Sequence, residues 1–475
     1  MAAVSPSEEA ASEGAGTGEL RRVMGPGLLL LLVVGDILGT GIYALTGEVA
    51  GEVGGAGWLP LGLAFLVALV TAFSYLELVT KYPQAAGAAL YAHKAFGNHF
   101  LTFLVCFTVM CSGITSASAA ARAFAVNLVE ALGLDVGDGV VLAFALGFMS
   151  LVTAVNLRGV GESVRANVVL TAVELSGLLL VIVLSLYFVA GGGADFSRAV
   201  TFATDGDKSL FLALSTATSL AFFAMVGFED SVNMAEETRN PTRDFPRVML
   251  TGLGLTGLIY VAVSLLAVAV VPVGQLAESE TPLVTVVRTA VPGFPIGEVM
   301  PVVSMFAVAN SALINMLMAS RLLYGMSRQG VLPPVLARVH PTRRTPWAAI
   351  LFTTLVAFGV ITLVSLRPDA AVVALLGGTT SLLLLAVFVV VNLAVLVLRR
   401  DRVGTEHFRA GRVLPAVGAV MCLYLVLPWS SGRPGAQYEL AGVLLLVGVA
   451  LWAVTWAVWG RRRASDTPEG TRSRR

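Results

Sequence analysis

The segments GDILGTG (Gly35–Gly41) and AMVGFED (Ala224–Asp230) interrupt two long apolar runs, one near the start of the chain and one about halfway along it. Both contain glycine, and each glycine lowers helix propensity by about 1 kcal/mol relative to alanine. A helix broken inside a bilayer leaves backbone N–H and C=O groups unpaired, which is tolerated only where protein or a cavity satisfies them. Paired breaks in the two halves of a chain are typical of a transporter's substrate site.

The composition is that of a polytopic membrane protein. Of 475 residues, 56% are hydrophobic and 13% are charged, against roughly 25% charged in an average soluble domain. The net charge of +1 indicates no acidic partner such as nucleic acid. Cys106, Cys111 and Cys422 lie in apolar runs, so we expect neither a disulfide framework nor a zinc cluster.

Apolar stretches near the roughly 20 residues that cross the hydrocarbon core predict an all-α integral membrane fold. Twelve transmembrane helices are expected, over residues 24–50, 57–82, 99–130, 139–157, 163–190, 209–237, 247–272, 297–326, 346–366, 370–398, 413–430 and 437–460.

The connections between these spans alternate in basic content, as the positive-inside rule requires. The basic set includes Arg21, Arg22 and Arg461–Arg463, which places both termini in the cytoplasm of a multi-pass cell-membrane protein. Residues 1–20 are small, polar and acidic and are predicted to be a disordered cytoplasmic tail. Residues 461–475 are predicted to be a basic cytoplasmic tail.

The two breaks fall in spans 1 and 6, so each opens a group of five spans. An odd number of spans per group forces the second group, residues 208–398, to run inverted relative to the first, residues 24–190. Residues 413–460 would add two C-terminal helices. The hydropathy therefore predicts a 5+5 inverted repeat with broken helices 1 and 6.

Four motifs at the expected spans resemble those of the amino acid–polyamine–organocation superfamily of permeases, whose fold is LeuT-like. They are GDILGTGIY (Gly35–Tyr43), YLEL with GAALY (Tyr75–Leu78, Gly87–Tyr91), GFED with AEETRNP (Gly227–Asp230, Ala235–Pro241) and SRLLYGMSRQG (Ser320–Gly330). The resemblance implies a permease in which spans 1, 2, 6 and 7 rock against spans 3, 4, 8 and 9.

The expected function is secondary active transport of amino acids by alternating access, with a small-molecule substrate, a coupling proton and the lipid bilayer as partners. No cofactor or catalytic group is expected. The four histidines, His93, His99, His340 and His407, lie at loops or span edges with no nucleophile or metal-ligand spacing, and no phosphate-binding loop appears. The alternatives are a sodium-coupled or exchange-type carrier of polyamines or other organic cations and, more remotely, a channel or membrane sensor.

In the first break we expect the free N–H groups of Gly39, Thr40 and Gly41 to bind a substrate carboxylate, because they begin a half-helix. Ile37 is expected to contribute to the same site. The alternative is close helix packing by small residues.

In the second break, carbonyls around Phe223, Ala224 and Gly227 would accept hydrogen bonds from a substrate ammonium. Phe223 matches the gating aromatic of the superfamily that the chain resembles, and Phe228 is a second gating candidate. Both aromatics could instead face lipid or the core.

Glu174 lies nine residues past Arg165, about 13 Å into span 5, where a charge is costly. Several proton-coupled members of the superfamily have a lysine at the matching position, and this chain departs from them with a glutamate. A buried carboxyl group with a raised pKa can also take up and release a proton, so we expect Glu174 to exchange the coupling proton. The alternatives are a sodium ligand or a neutral, hydrogen-bonded side chain. Span 8 offers Ser304, Ser311 and Ser320 without an adjacent hydroxyl pair, which favours protons over sodium.

Other polar residues leave two interpretations open. Glu229 could relay a proton or pair with a cation, or it could stabilise the following half-helix through its dipole, and Asp36 is equally open. At the cytoplasmic ends, an inner gate or ordinary solvated helix ends would explain Glu77, Lys81, Glu236, Glu237 and Arg239. Candidate selectivity residues are Asn310, Asn315 and Met316.

Overall fold

The computed structural model describes residues 20–460 except 21, 40, 135, 205–208, 280, 366–369, 402 and 405. Extended pairing in this part of the chain is confined to two isolated bridges, Met24 with Thr238 and Gly54 with Phe202. The predicted all-α class is therefore confirmed for the described residues. The predicted tails, residues 1–20 and 461–475, lie outside them apart from Leu20.

The described residues in the first half of the chain form eight α-helices. They are α1 (Pro26–Leu38), α2 (Gly41–Val53), α3 (Trp58–Lys81), α4 (Gly87–Phe96), α5 (His99–Ala131), α6 (Asp138–Arg158), α7 (Val160–Ala190) and α8 (Leu210–Ala221). Short 3₁₀ segments cover Gly55–Gly57, Arg198–Val200, Phe222–Met225 and Asp230–Glu237.

The second half forms nine more. They are α9 (Pro241–Val270), α10 (Val273–Ala277), α11 (Pro282–Ala290), α12 (Ile296–Arg328), α13 (Trp347–Ser365), α14 (Ala370–Leu398), α15 (Leu414–Val426), α16 (Pro428–Ser431) and α17 (Gly435–Thr455). A 3₁₀ turn covers Pro334–Ala337, and a π-helical turn, Trp456–Gly460, follows α17.

Local sequence explains where several of these helices begin. Pro26, Pro241 and Pro282 stand in the first turns of α1, α9 and α11, where the missing N–H of proline costs nothing and its fixed φ suits a helix. At the start of α8 the hydroxyl of Ser209 accepts a hydrogen bond from the N–H of Leu212, which satisfies one of the unpaired donors of the first turn.

Ten helical stretches of the described residues are long and apolar enough to cross a membrane. Two further apolar helices, Trp347–Leu363 and Leu414–Val426, are shorter. The chain is thus a multi-pass membrane protein by helix length and composition, while the count of twelve spans and the inverted repeat stay predictions.

Two groups of helices pack closely among themselves, and α7 packs against members of both. In the first, α9 lies against α1 and α3, and α2 lies against α8. In the second, α5 and α12 make the most extensive contact of the molecule, and α13 packs on α5 and α6. These groups contain the helices of spans 1, 2, 6 and 7 and of spans 3, 4, 8 and 9, respectively.

One end of the molecule, which we call the polar end, carries three ion pairs, Glu77–Arg399, Glu236–Arg328 and Glu237–Arg321. Arg399 donates to both carboxylate oxygens of Glu77 at 2.9 and 2.8 Å, and this bonding raises the pKa of Arg399. Lys81 donates to the carbonyls of Leu398 and Asp401.

The chain before α1 is attached to the same end. The N–H groups of Val23 and Met24 donate to the carbonyl of Glu237 at 3.0 Å, and the N–H of Arg239 donates to the carbonyl of Met24. Leu20 packs against Ala85. Of the residues considered above as an inner gate, four bond through their side chains to distant parts of the chain: Glu77, Lys81, Glu236 and Glu237. Arg239 is exposed and bonds Met24 through its backbone.

The Glu237–Arg321 pair differs from the other two because both side chains are 0% exposed. Removing one partner of a fully buried pair leaves an uncompensated charge, so Arg321→Met should lower stability by about 3–5 kcal/mol. Arg328→Met is the matched control, since Arg328 and its partner Glu236 are 47% and 20% exposed and such pairs contribute about 0–1 kcal/mol. Thermal unfolding of the purified variants in detergent measures both, and equal losses would contradict this assignment.

Candidate substrate site

The structure contains both breaks that the sequence indicates. In the first, α1 ends at Leu38 and α2 begins at Gly41, with Thr40 outside the described residues. In the second, α8 ends at Ala221 and is followed by tight turns through Glu237. Gly227 lies in that second break with a φ of +128°, a backbone conformation that residues other than glycine rarely adopt.

The two breaks touch through their backbones. A Cβ atom added at Gly41 would lie 2.7 Å from Cα of Ala224. One added at Gly227 would lie 2.8 Å from the carbonyl carbon and oxygen of Asp36. Real Cβ atoms essentially never approach other atoms so closely, so glycine at both positions is what allows the breaks to meet.

A small cavity lies at this meeting point. The space open to the centres of water molecules is about 50 Å³, and one water needs about 10–15 Å³ by this measure, so the cavity has room for several. It is lined by Asp36, Ile37, Gly39, Gly41, Ser112, Ser116, Phe223, Ala224, Val226, Gly227, Asp230, Ser311, Asn315 and Thr380.

Six candidate binding residues from the sequence therefore meet in one place. They are Ile37, Gly39, Gly41, Phe223, Ala224 and Gly227. The fully buried ring of Phe228 is not among the lining residues, and it packs instead against Tyr75 and Phe388 at centroid distances of 5.8 and 5.5 Å. Glu174 and Glu229 do not line the cavity either.

The last carbonyls of α1 are partnered from α9. The hydroxyl oxygen of Tyr260 lies 2.5 Å from the carbonyl oxygen of Ile37 and 2.6 Å from that of Leu38, so it donates to the C-terminal end of the half-helix. By contrast, the first N–H groups of α2, beginning at Gly41, have no intrahelical partner, as at any helix start. The start of α2 thus offers backbone donors to the cavity.

Acceptors come from the second break. The carbonyls of Phe223 and Gly227 accept from the N–H groups of Val226 and Asp230 at 3.3 and 3.1 Å, and each carbonyl oxygen keeps a second lone pair. Glu229 is 4% exposed and accepts from the N–H of Gly227 at 2.9 Å. Glu229 thus bonds the backbone of its own segment, and this contact is closer to the structural role given for it above than to a cation pair.

Glu174 lies elsewhere, inside the packed helices. It is 0% exposed, and neither carboxyl oxygen has a hydrogen-bond partner among the described residues. The hydroxyl of Tyr43 donates to its backbone carbonyl at 3.4 Å. Glu174 is therefore a buried carboxyl group outside the cavity.

A neutral hydrogen-bond network surrounds Gly35 at the start of the first break. Asn310 Nδ2 donates to the Gly35 carbonyl at 3.1 Å and to Thr171 Oγ1 at 3.0 Å, and Asn167 donates to Asn310 Oδ1 at 2.9 Å. A Cβ at Gly35 would lie 2.0 Å from Thr171 Oγ1. Asn310 thus bonds the backbone of the first break and does not line the cavity. Of the other two candidate selectivity residues, Asn315 lines the cavity and the buried Met316 does not.

Several lining residues were not singled out in the sequence as binding residues. They include Asp230, Thr380, Ser112 and Ser116. The two serines are four residues apart, which places them on one face of α5, and that spacing inside an apolar span is the signal that could have identified them. No three His, Cys, Asp or Glu side chains of the described part of the chain could hold a metal ion.

Comparison with known proteins gives a match along most of the chain. The family model for amino acid permeases matches residues 28–452. The methylthioribose transporter of Bacillus subtilis (strain 168) is 28% identical over 460 residues, covering 92% of this chain and 93% of the relative. The branched-chain amino acid permease BcaP of the same organism is 27% identical, covering 87% and 89%. The chloroplastic cationic amino acid transporter 9 of Arabidopsis thaliana is 31% identical, covering 71% of this chain and 60% of the relative.

The contact between the breaks can be tested with a single methyl group. Gly41→Ala should force Ala224 away and lower stability by about 1–3 kcal/mol, as overpacking does. Gly254→Ala in α9 is the control, because nothing lies within 4 Å of its added Cβ and alanine favours a helix. Thermal unfolding in detergent should show a loss for Gly41→Ala only; an unchanged melting temperature would mean that the breaks do not touch at this position.

Proposed function

The chain belongs to the amino acid permease family, as its motifs indicate, and it is therefore a transporter rather than an enzyme. From this premise we propose that it is a secondary active transporter that carries α-amino acids across the cell membrane by alternating access. The observation that carries the proposal is the contact of two glycine-rich breaks around one polar cavity.

The cavity chemistry suits the backbone end of an α-amino acid. The positive end of the α2 dipole and the N–H groups at its start, beginning at Gly41, favour a carboxylate, and we propose that the N–H of Gly39 contributes as well. The α8 helix ends at Ala221, so its negative end and the carbonyls of Phe223, Ala224 and Gly227 favour an ammonium. A zwitterion satisfies both breaks at once, with Ile37 beside the carboxylate and Phe223 as the gating aromatic, and Phe228 has no part in this proposal.

The names of the relatives support an amino acid substrate. BcaP is a branched-chain amino acid permease, and the plant relative is a cationic amino acid transporter. The methylthioribose transporter favours a second candidate, a polar solute that is not an amino acid. Such a solute would lack the paired carboxylate and ammonium, and it would leave the N–H groups of the first break unpaired.

Alternating access requires one group of helices to move against another. We assign spans 1, 2, 6 and 7 to the moving group, with residues 24–190 and 208–398 as inverted repeats followed by the spans of residues 413–460. The Glu237–Arg321 pair connects the end of span 6 with span 8, so it would close the polar end and would break when that end opens. By the distribution of arginines, the polar end is the cytoplasmic one.

We assign proton coupling to Glu174. A fully buried carboxyl group without a hydrogen-bond partner among the described residues is much less costly when it is protonated, and it can release the proton when the helices rearrange. Sodium is less suited, because Asn310 already presents N–H donors to the Gly35 carbonyl and donor hydrogens repel a cation. Glu229 is bonded to the N–H of Gly227 in the second break. It would lose this bond when the break rearranges, and it would then relay the proton.

The proposal is tested by a ligand screen followed by transport. Purified protein is heated with each common amino acid, with polyamines and with methylthioribose, and a true ligand raises the melting temperature by mass action. The ligand found is then tested for counterflow in proteoliposomes. Stabilisation by an amino acid with saturable counterflow is expected, and stabilisation only by a molecule without an α-carboxylate would contradict it.

Coupling is tested separately with Glu174→Gln, which cannot exchange a proton. Its uptake should no longer respond to an imposed proton gradient, while counterflow under equal pH persists. Glu298→Gln, at an exposed position in the first turn of α12, is the control and should keep the response. A normal gradient response in Glu174→Gln would remove this residue from coupling.

A further inference from the structure

Two aspartates face the cavity, one from each break. Asp36 belongs to the end of α1, and Asp230 begins the 3₁₀ segment after the second break. Asp36 is 8% exposed, and its Oδ2 has no hydrogen-bond partner among the described residues. Asp230 is half-buried, with Asn233 Nδ2 at 3.5 Å from its Oδ1. The amino acid backbone, bound by N–H groups and carbonyls, needs neither side chain.

Among the described residues, neither aspartate forms a salt bridge. None of the described residues that line the cavity is basic. The salt bridges found in the described ranges involve Glu77, Asp195, Glu236 and Glu237, and neither Asp36 nor Asp230. Carboxylates removed from water are costly unless a positive group pairs with them. Where the two aspartates are ionised, they therefore need a cation beside them.

The charges at the site indicate which positive group of a substrate would pair with the aspartates. A zwitterionic amino acid has no net charge, and its one ammonium is already matched by its own carboxylate and by the carbonyls of the second break. Two aspartates would stay uncompensated around it. A substrate with one further positive group would bring that group to the carboxylates and form charge-assisted hydrogen bonds with them.

We propose that Asp36 and Asp230 bind a second cationic group of the substrate, so that the preferred substrate is an amino acid whose side chain ends in an ammonium or guanidinium. This inference rests on the proposed function, because it takes the two breaks as the site of the α-amino acid backbone.

The remaining wall of the cavity fits this chemistry. Ser112, Ser116 and Ser311 contribute hydroxyl groups, and Asn315 contributes an amide. Each can accept hydrogen bonds from the N–H groups of an ammonium or guanidinium. A branched apolar side chain would leave these polar groups unpaired, and an unpaired buried polar group costs about 1–3 kcal/mol. The wall therefore disfavours apolar side chains as well as accepting charged ones.

The first test needs no variant. Lysine and norleucine differ at the end of the side chain, where norleucine lacks the ammonium. Lysine should bind the wild-type protein at least about tenfold more tightly than norleucine, because hydrogen bonds to charged groups contribute about 1.5–3 kcal/mol. Equal binding of the two would overturn the inference and leave the proposed amino acid transport intact. Binding of neither lysine, norleucine nor any other amino acid would instead overturn the proposed function itself.

The second test assigns the effect to the two residues. Asp36→Asn and Asp230→Asn should each lower the ratio of lysine to norleucine uptake in proteoliposomes about tenfold or more, with norleucine uptake retained as evidence of folding. Glu298→Gln removes an exposed carboxylate outside the cavity and should keep the ratio. An unchanged ratio together with a lost response to the proton gradient would assign the aspartates to proton exchange and overturn the inference.

Discussion

The backbone contact between the two breaks is the constraint on which the rest of the structure depends. Gly41 meets Ala224, and Gly227 meets Asp36, at distances that exclude a side chain. This contact brings a helix start and a helix end to one point inside the apolar interior. The unpaired donors of one and the acceptors of the other then face a common cavity, which makes a broken helix tolerable in a membrane.

The neighbouring helices supply partners for the groups that the cavity does not use. Tyr260 covers the last carbonyls of α1, and Asn310 covers the carbonyl of Gly35. Glu229 accepts a hydrogen bond from the N–H of Gly227. Each of these contacts leaves fewer backbone groups available to a ligand. The backbone groups that remain are donors at the first break and acceptors at the second, and we propose that this division selects a ligand with both charges.

The sequence predicts the helical class, the two breaks and most of the residues whose backbone lines the cavity. It does so because glycine inside an apolar run weakens the helix at its own position. It does not predict which neighbours complete the site, since Ser112 and Thr380 come from helices far away in the chain. Nor does it separate Phe223, which lines the cavity, from Phe228, which packs on Tyr75. Two side chains five positions apart in such a break can face opposite directions, and only the geometry of the turns decides which one lines the cavity.

The central claim is that one α-amino acid bridges the two breaks. A cryo-electron microscopy structure of the protein with its transported amino acid tests it most directly. We expect the α-carboxylate within about 3.2 Å of the N–H groups at the start of α2 and the α-ammonium at a similar distance from the carbonyls at Phe223 to Gly227. A ligand bound outside this cavity, or bound there with its carboxylate facing the second break, would contradict it.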